Sequence, residues 1–321
     1  MSVLQDERDI RMYHFIINSA ASSGKGAEVW QKAESILKRE NAEYTAHFPK
    51  SGEHTDRLVR KLTETPSSED CHLVVLGGDG TLNLVLQGIV SFEHTTLSCI
   101  RTGSGNDFAK DMGLERDLER ALLHLLYDSQ ETMLDYGILT AYPTDDSPVQ
   151  KRFLISSGVG YDADICEEVS RSRLKKVMNR LHLGKLVYVC IGIRQIFTRK
   201  TCRAVLRLEG QEKRYISGLF FLVGMIHPYE GGGVPFCPEA DPADGYLDLC
   251  VVEGMAKWKL LLAVIFVYLK KHYLFRGVTA FRCRSLTLTL DKPQWFHMDG
   301  ETPFKIRKIS MECKSGLRFV Q

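Results

Sequence analysis

A short β-rich run, Cys71 to Leu76, passes without a spacer into Gly77-Gly78-Asp79-Gly80-Thr81. Such a run shows no in–out alternation, so it reads as a strand buried on both faces. Burial of that kind requires helices above and below a parallel sheet. The surrounding chain supplies them. Tyr13 to Ile17 reads as a strand ending in the small-residue turn Asn18 to Gly24. Ala27 to Arg39 carries Val29, Trp30, Ala33, Ile36 and Leu37 at helical spacing. An extended run at Tyr44 to Phe48 and a helix over Thr55 to Leu62 follow, then a strand at Leu97 to Arg101 with a second glycine turn behind it. In sheets built this way ligands bind beyond the carboxyl ends of the strands, where both glycine turns fall.

From about Gly137 the pattern becomes short and β-like, as in Phe153–Ser157, Arg203–Leu208, Leu219–Val223, Leu247–Val252 and Leu286–Leu290. These segments predict an antiparallel second domain. A stretch rich in Arg and Lys, Asp164 to Lys200, interrupts them and reads as helical. A chain of 321 residues suits two domains. We place them at 1–136, completed by the tail 305–321, and at 137–304. The formal net charge of +2 excludes a global polyanion-binding surface, and no nucleic-acid partner is expected. The nine cysteines show no zinc-site spacing, and an odd number without a signal segment points to the reducing cytoplasm. The longest apolar run, Leu260 to Tyr268, is far below the ~18 residues of a membrane span and predicts a buried helix.

Three segments carry chemistry. In Gly77 to Asn83 the glycines remove the β-carbons that would block a phosphate, and a helix start adds its positive end. Asp79 beside such a group makes sense if it works with Mg²⁺ or orients an attacking hydroxyl. In Arg101-Thr102-Gly103-Ser104-Gly105-Asn106-Asp107-Phe108 two hydroxyls and two glycines repeat that logic, with Asp107 expected to cap the next helix. In Asp299-Gly300-Glu301 two carboxylates flank a glycine and can supply a metal ligand and a general base, although Asp-Gly alone also marks a hairpin turn.

Together these segments resemble the diacylglycerol kinase catalytic family, which includes bacterial lipid kinases and sphingosine kinases and is related to NAD kinases. Ser157 to Ala163 looks like the glycine-rich opening of that family's second domain, and Gly231-Gly232-Gly233 through Pro238 and Ala240 resembles its triple-glycine segment. The resemblance implies an α/β chain with a Rossmann-like, NAD kinase-like parallel-sheet nucleotide domain. It also implies a C-terminal antiparallel β-sandwich-like domain with a helical insertion. It implies ATP and Mg²⁺ as cofactors and transfer of the γ-phosphoryl group to a lipid hydroxyl.

Carried over by position, Asn18, Gly77, Gly78, Asp79, Gly80, Thr81, Asn83, Thr102, Gly103, Ser104, Gly105 and Asn106 would bind ATP in a cleft between the domains. Glu301 would be the general base, with Asp299 and Asp79 assisting. A structural Mg²⁺ would sit on the turn Asp244-Gly245-Tyr246-Leu247, with Asp241, Asp244 and Tyr246 as ligands. The second domain would offer an apolar pocket for acyl chains. The expected partners are a lipid substrate, the inner face of a membrane through the basic run Arg171 to Lys185, and a second copy of the chain.

The chain departs from the family pattern in three places. No proline follows Asn18, Phe48 stands where a nucleotide-contacting threonine is expected, and Met225-Ile226-His227-Pro228 replaces an asparagine-bearing stretch. Ser23-Gly24-Lys25-Gly26 lacks the full Walker pattern and reads as a solvated turn. Two further readings stay open: an NAD kinase-like small-molecule kinase, and a non-catalytic regulator that binds lipid or nucleotide.

Overall fold

The computed structural model describes residues 12–19, 26–64, 70–102, 106–143, 147–171 and 184–321, without the side chains of 184–188. Gly103, Ser104, Gly105, the turn at 20–25 and most of the basic run after Arg171 lie outside the described residues. The first half of the chain runs β1 (Tyr13–Ile17), α1 (Gly26–Arg39), β2 (Tyr44–His47), α2 (Gly52–Glu64), β3 (Cys71–Gly77), α3 (Asp79–Gly88) and β4 (Thr95–Arg101). Next come α4 (Asp107–Asp111), α5 (Leu118–Leu123), β5 (Glu131–Tyr142), β6 (Val149–Phe153), β7 (Ser156–Gly160) and α6 (Tyr161–Arg171). The remainder is α7 (Gly184–Thr198), β8 (Cys202–Leu208), β9 (Arg214–Met225), β10 (Leu247–Glu253), α8 (Lys257–Tyr268), β11 (Val278–Cys283), β12 (Ser285–Met298) and β13 (Lys305–Val320).

Two compact units result. Unit one comprises Met1–Ser104, Gly113–Met133 and Leu317–Gln321, and unit two comprises Gly105–Met112 and Leu134–Gly316. In unit one β1 pairs in parallel with β2 on one side and β3 on the other, and β3 pairs in parallel with β4. The end of β13 adds a further parallel strand through Arg318 opposite Thr96. Arg318 fixes that strand end by ion pairs to Asp70 and Glu131. Phe15, Ile16, Ile17, Val74 and Val75 are fully buried, as a strand covered on both faces must be. The α1 residues Trp30, Ala33, Ile36 and Leu37 fall on one face and pack with Phe15, Val74 and Leu76. Each such large side chain contributes about 1.5–3 kcal/mol by leaving water.

Unit two is antiparallel. β9 is bordered by β10, β7 and β8, and β12 by β13, β7 and β8. The two long strands are therefore bridged by β8 near one end and β7 near the other. Their inward side chains, with those of β10, form one core around Leu222, Leu249, Leu288 and Ile309.

One expectation needs correction. α8 is not a buried helix: only Leu260, Ala263 and Val267 are buried, while Trp258 and Ile265 are 61% and 57% exposed. Two surface hollows open on unit two. One, of about 910 Å³, is bordered by Arg207, Glu209, Glu212 and Lys213. Another, of about 170 Å³, is bordered by Asp164, Arg199, Lys200 and Lys305.

Candidate active site

In unit one the chain leaves β1 to build β2 on one side and returns to build β3 on the other. The carboxyl ends of β1 and β3 thus flank the point where strand order reverses, which is where open α/β sheets hold ligands. Asn18 follows β1, and its Nδ2 donates to Thr81 Oγ1 at 3.0 Å. Its backbone N–H reaches Leu76 O at 3.3 Å, and Thr102 N–H reaches Gly77 O at 3.0 Å. Asn18, Thr81 and Thr102 are therefore all anchored at one strand end.

The glycines here have separate reasons. A Cβ on Gly77 would lie 2.7 Å from both Thr81 Cβ and Oγ1, so Thr81 can fold over the strand end only if residue 77 is glycine. A Cβ on Gly80 would meet nothing within 4 Å, so its bareness leaves open space at the first turn of α3. The N-cap of α3 is Gly78, which has no side chain to accept from the first-turn N–H groups. That end carries the partial positive charge that attracts anions. Asp79 occupies the first turn, and its charge adds to burial in pushing the Cys99 thiol up to about 12, which keeps that thiol inert. Asn83 is buried and accepts from Gln87 Nε2 at 3.1 Å. Phe48 is half exposed, with Trp30 edge-on 6.0 Å away.

The second glycine motif divides between the units. Thr102 belongs to unit one, while Asn106 and α4 belong to unit two. Asp107 does not cap α4. Asn106, in the left-handed region at φ 42°, holds the N-cap position without a side-chain capping bond, which places Asp107 inside the helix. Its carboxylate instead accepts from Gly232 N at 2.6 Å and Lys110 Nζ at 3.1 Å, which ties α4 to the triple glycine. Asp111 Oδ2 lies 2.7 Å from His227 Nδ1 and adds a second tie to the same segment.

In unit two Asp299 and Gly300 sit at φ 45° and 87°, and Met298 and Glu301 exchange backbone hydrogen bonds of 3.0 and 2.9 Å. The segment is thus a tight two-residue hairpin turn of the kind Asp-Gly favours. Asp299 also reaches across to the start of β7. Its Oδ2 accepts from Leu154 N at 2.8 Å, and its Oδ1 accepts from Ile155 N at 2.8 Å and Ser156 N at 3.0 Å. Glu301, at the turn's other side, is exposed.

Behind the turn lies a buried cluster whose roles sequence reasoning missed. His297 stands opposite Gly158 in the β12–β7 register, and its Nε2 is 3.0 Å from Asp162 Oδ2. A Cβ on Gly158 would fall 2.0 Å from that same oxygen, so this glycine is the space the pair occupies. Asp162, Glu230 and His297 bring one ligand atom each within 4.8 Å of one another. Burial opposes the imidazolium, but Asp162, with Glu230 and Asp299 behind it, outweighs burial and pushes His297 up to about 9. Glu230 is pushed up to about 7, mainly by burial. Gly300 N lies 3.4 Å from His297 Nδ1, a contact that would suit a neutral ring. We favour the charged ring, because an ion pair with a buried carboxylate outweighs a hydrogen bond that long.

The sign follows from linkage. A histidine raised above its usual 6.5 adds stability that is complete below that value and is lost as pH rises through about 9. A carboxyl raised like Glu230 loses its share lower, between the usual 4.5 and about 7. Denaturant titrations between neutrality and the mildly alkaline range should therefore show wild-type stability falling more steeply than that of His297→Gln. Parallel curves would mean that the ring is neutral in the fold.

The Asp241–Leu247 turn is braced by other groups. Asp135, buried, accepts from Gly245 N and Ser315 Oγ, and its own N–H donates to Pro242 O at 2.7 Å. Asp241 and Asp244 accept from Ala243 N and Tyr246 N, both at 3.0 Å. Burial raises the Asp244 pKa despite the Arg282 guanidinium paired with its Oδ2, which also lies 4.6 Å over the Tyr246 ring. The oxygen-rich donor set suits a hard cation by type. Arg282 also pairs with Asp244 Oδ2, and no step is routed through a cation at this turn.

A family model for the diacylglycerol kinase catalytic domain matches residues 12–137, and one for the YegS C-terminal NAD kinase beta sandwich-like domain matches residues 155–311. The chain belongs to the diacylglycerol kinase catalytic family. It is 26% identical over 299 residues to a provisionally named lipid kinase, YtlR, of Bacillus subtilis, across 92% of this chain and 96% of that one. To a diacylglycerol kinase of Mycobacterium tuberculosis it is 25% identical over 214 residues, 67% of this chain and 65% of the relative. The solved structure of a provisionally assigned diacylglycerol kinase from Bacillus anthracis str. Sterne superimposes with a TM-score of 0.74 at 18% identity. That match covers 97% of this chain and 96% of the other, and it shows the shared fold. Among the described residues no helix is long and apolar enough to cross a membrane.

Proposed function

We propose that this chain is an ATP-dependent lipid kinase that transfers the γ-phosphoryl group to the hydroxyl of a diacylglycerol-like lipid. The observation that carries this reading is the Asp299-Gly300-Glu301 turn. Both oxygens of its aspartate are engaged by backbone N–H groups, and its glutamate is left exposed on a braced hairpin. That division suits a general base, which needs a fixed position and a free carboxylate. Asp299 is accordingly a positioning residue in this reading, and Glu301 takes the proton of the lipid hydroxyl.

Magnesium enters with the nucleotide as part of the substrate. Gly77 to Thr81 and the α3 N-terminus cradle the phosphates, with Asn18 and Thr102 beside them. Asp79 grips the metal-bound nucleotide. Catalysis is then mainly positioning and charge neutralisation.

The test is incubation with γ-labelled ATP and a panel of diacylglycerol, sphingoid base, phosphatidylglycerol and polyprenol, with NAD in a parallel tube. Label in a lipid phosphate supports the reading and names the acceptor. Label in NADP, or ATP binding with no label transferred, overturns it.

A further inference from the structure

From Leu260 onward helix α8 is apolar around its whole circumference, and only half of that surface is used. Leu260, Ala263 and Val267 turn inward, and Leu260 shares a core cluster with Ile196 of α7. The opposite face carries Trp258, Leu262, Ile265 and Leu269 at positions i, i+4, i+7 and i+11, all exposed, with Tyr268 beside them. α7 packs alongside α8 and leaves Val189, Ile193 and Phe197 exposed at i, i+4 and i+8. Because both helices bury a face in one cluster, their other faces turn away from the same core. Exposed apolar side chains repeated at helical spacing on two neighbouring helices mark an interaction site.

Charge decides what the face meets. Neither 184–200 nor 256–277 contains a single Asp or Glu, although the whole chain is nearly neutral. Lys259 is exposed on α8, and Lys270, Lys271 and Arg276 are exposed just past it, while Arg194 of α7 is paired with Glu168 of α6. Lys259 Nζ lies 5.4 Å over the Trp258 ring, which joins a cation to an aromatic at the start of the stripe. A second copy meeting this face by two-fold symmetry would set base against base.

We propose that the outward faces of α7 and α8 dock on an anionic phospholipid bilayer, with the apolar stripe in the acyl boundary and the lysines at the headgroups. Trp and Tyr at the stripe's ends suit that interface, and the helices lie in its plane rather than crossing it. The proposal depends on the lipid-kinase reading only for why the chain should meet a membrane. A peripheral face of this kind also leaves the acyl chains of a lipid in the bilayer.

Vesicle sedimentation of the full chain, without ATP, tests it. The chain should sediment with phosphatidylcholine vesicles containing phosphatidylglycerol, and less so as salt rises. Phe197→Glu with Ile265→Glu should weaken binding at least ~10-fold. Lys270→Glu with Lys271→Glu should weaken it selectively on anionic vesicles. Brominated phospholipid should quench tryptophan emission in the wild type, and the quenching should vanish in Trp258→Phe. The replaced side chains are exposed, and far-ultraviolet dichroism checks that each variant is folded. Three results would overturn the proposal: a wild type that stays in the supernatant, glutamate variants that bind as well as wild type, or a dimer that Ile265→Glu splits. Sedimentation without lipid phosphorylation would leave docking intact and remove the kinase reading. Phosphorylation of detergent-dispersed lipid without sedimentation would do the reverse.

Discussion

Glu301→Gln should reduce lipid phosphorylation by about 10²–10⁴-fold, the range a general base supplies, while leaving the melting temperature unchanged. The substitution keeps size and shape and removes only the capacity to take a proton. The backbone bonds between residues 298 and 301 do not involve the side chain, so the hairpin should survive. Nucleotide affinity should also be unchanged, since the reading places ATP on Gly77 to Thr81. Asp79→Ala should behave in the opposite way, raising the Michaelis constant for ATP more than it lowers turnover in saturating nucleotide. Steady-state kinetics in both substrates separates the two. If Glu301→Gln keeps more than about a tenth of wild-type turnover, the base lies elsewhere, because losing a general base costs far more than that.

The parts of this molecule legible in its sequence were those where one local pattern has one physical solution. β1 and β3 could be read because a double-faced apolar strand ending in glycine or asparagine has few alternatives. Asn18 joins Thr81 at the resulting strand end. α8 was misread for an equally physical reason. A helix apolar on every side carries no periodicity, so nothing in Leu260 to Tyr268 distinguishes the face under Val267 from the face bearing Ile265. Asp107 was expected to cap α4, but a left-handed Asn106 moved the helix start by one residue and sent the carboxylate to Gly232. The Asp162–His297 pair spans 135 positions and exists only through the β7–β12 register. Its one trace in the sequence is Gly158, and a glycine does not announce which side chains need its space.

The role of Asp299 separates two accounts of the catalytic turn, and Asp299→Asn distinguishes them. Asparagine tolerates the left-handed φ of 45° at least as well as the native aspartate, so the backbone should not resist the change. What changes is the acceptor set. The carboxylate takes three N–H groups, from Leu154, Ile155 and Ser156, at 2.8, 2.8 and 3.0 Å. An amide offers one oxygen, which can keep the Ile155 and Ser156 pair, and its NH₂ must then face the Leu154 N–H, donor against donor. Each hydrogen bond to a charged acceptor contributes about 1.5–3 kcal/mol, and a stranded partly buried donor costs about 1–3 kcal/mol. Asp299→Asn should therefore lose roughly 2–4 kcal/mol in denaturant titration. It should also lower turnover at temperatures where the variant is still folded, because the hairpin carrying Glu301 loses its brace. If Asp299 instead served the metal-bound nucleotide directly, stability would barely move and the dependence of rate on magnesium concentration would shift. A variant as stable as wild type but altered in its magnesium requirement would thus return Asp299 to the nucleotide and leave Glu301 to be held by the hairpin alone.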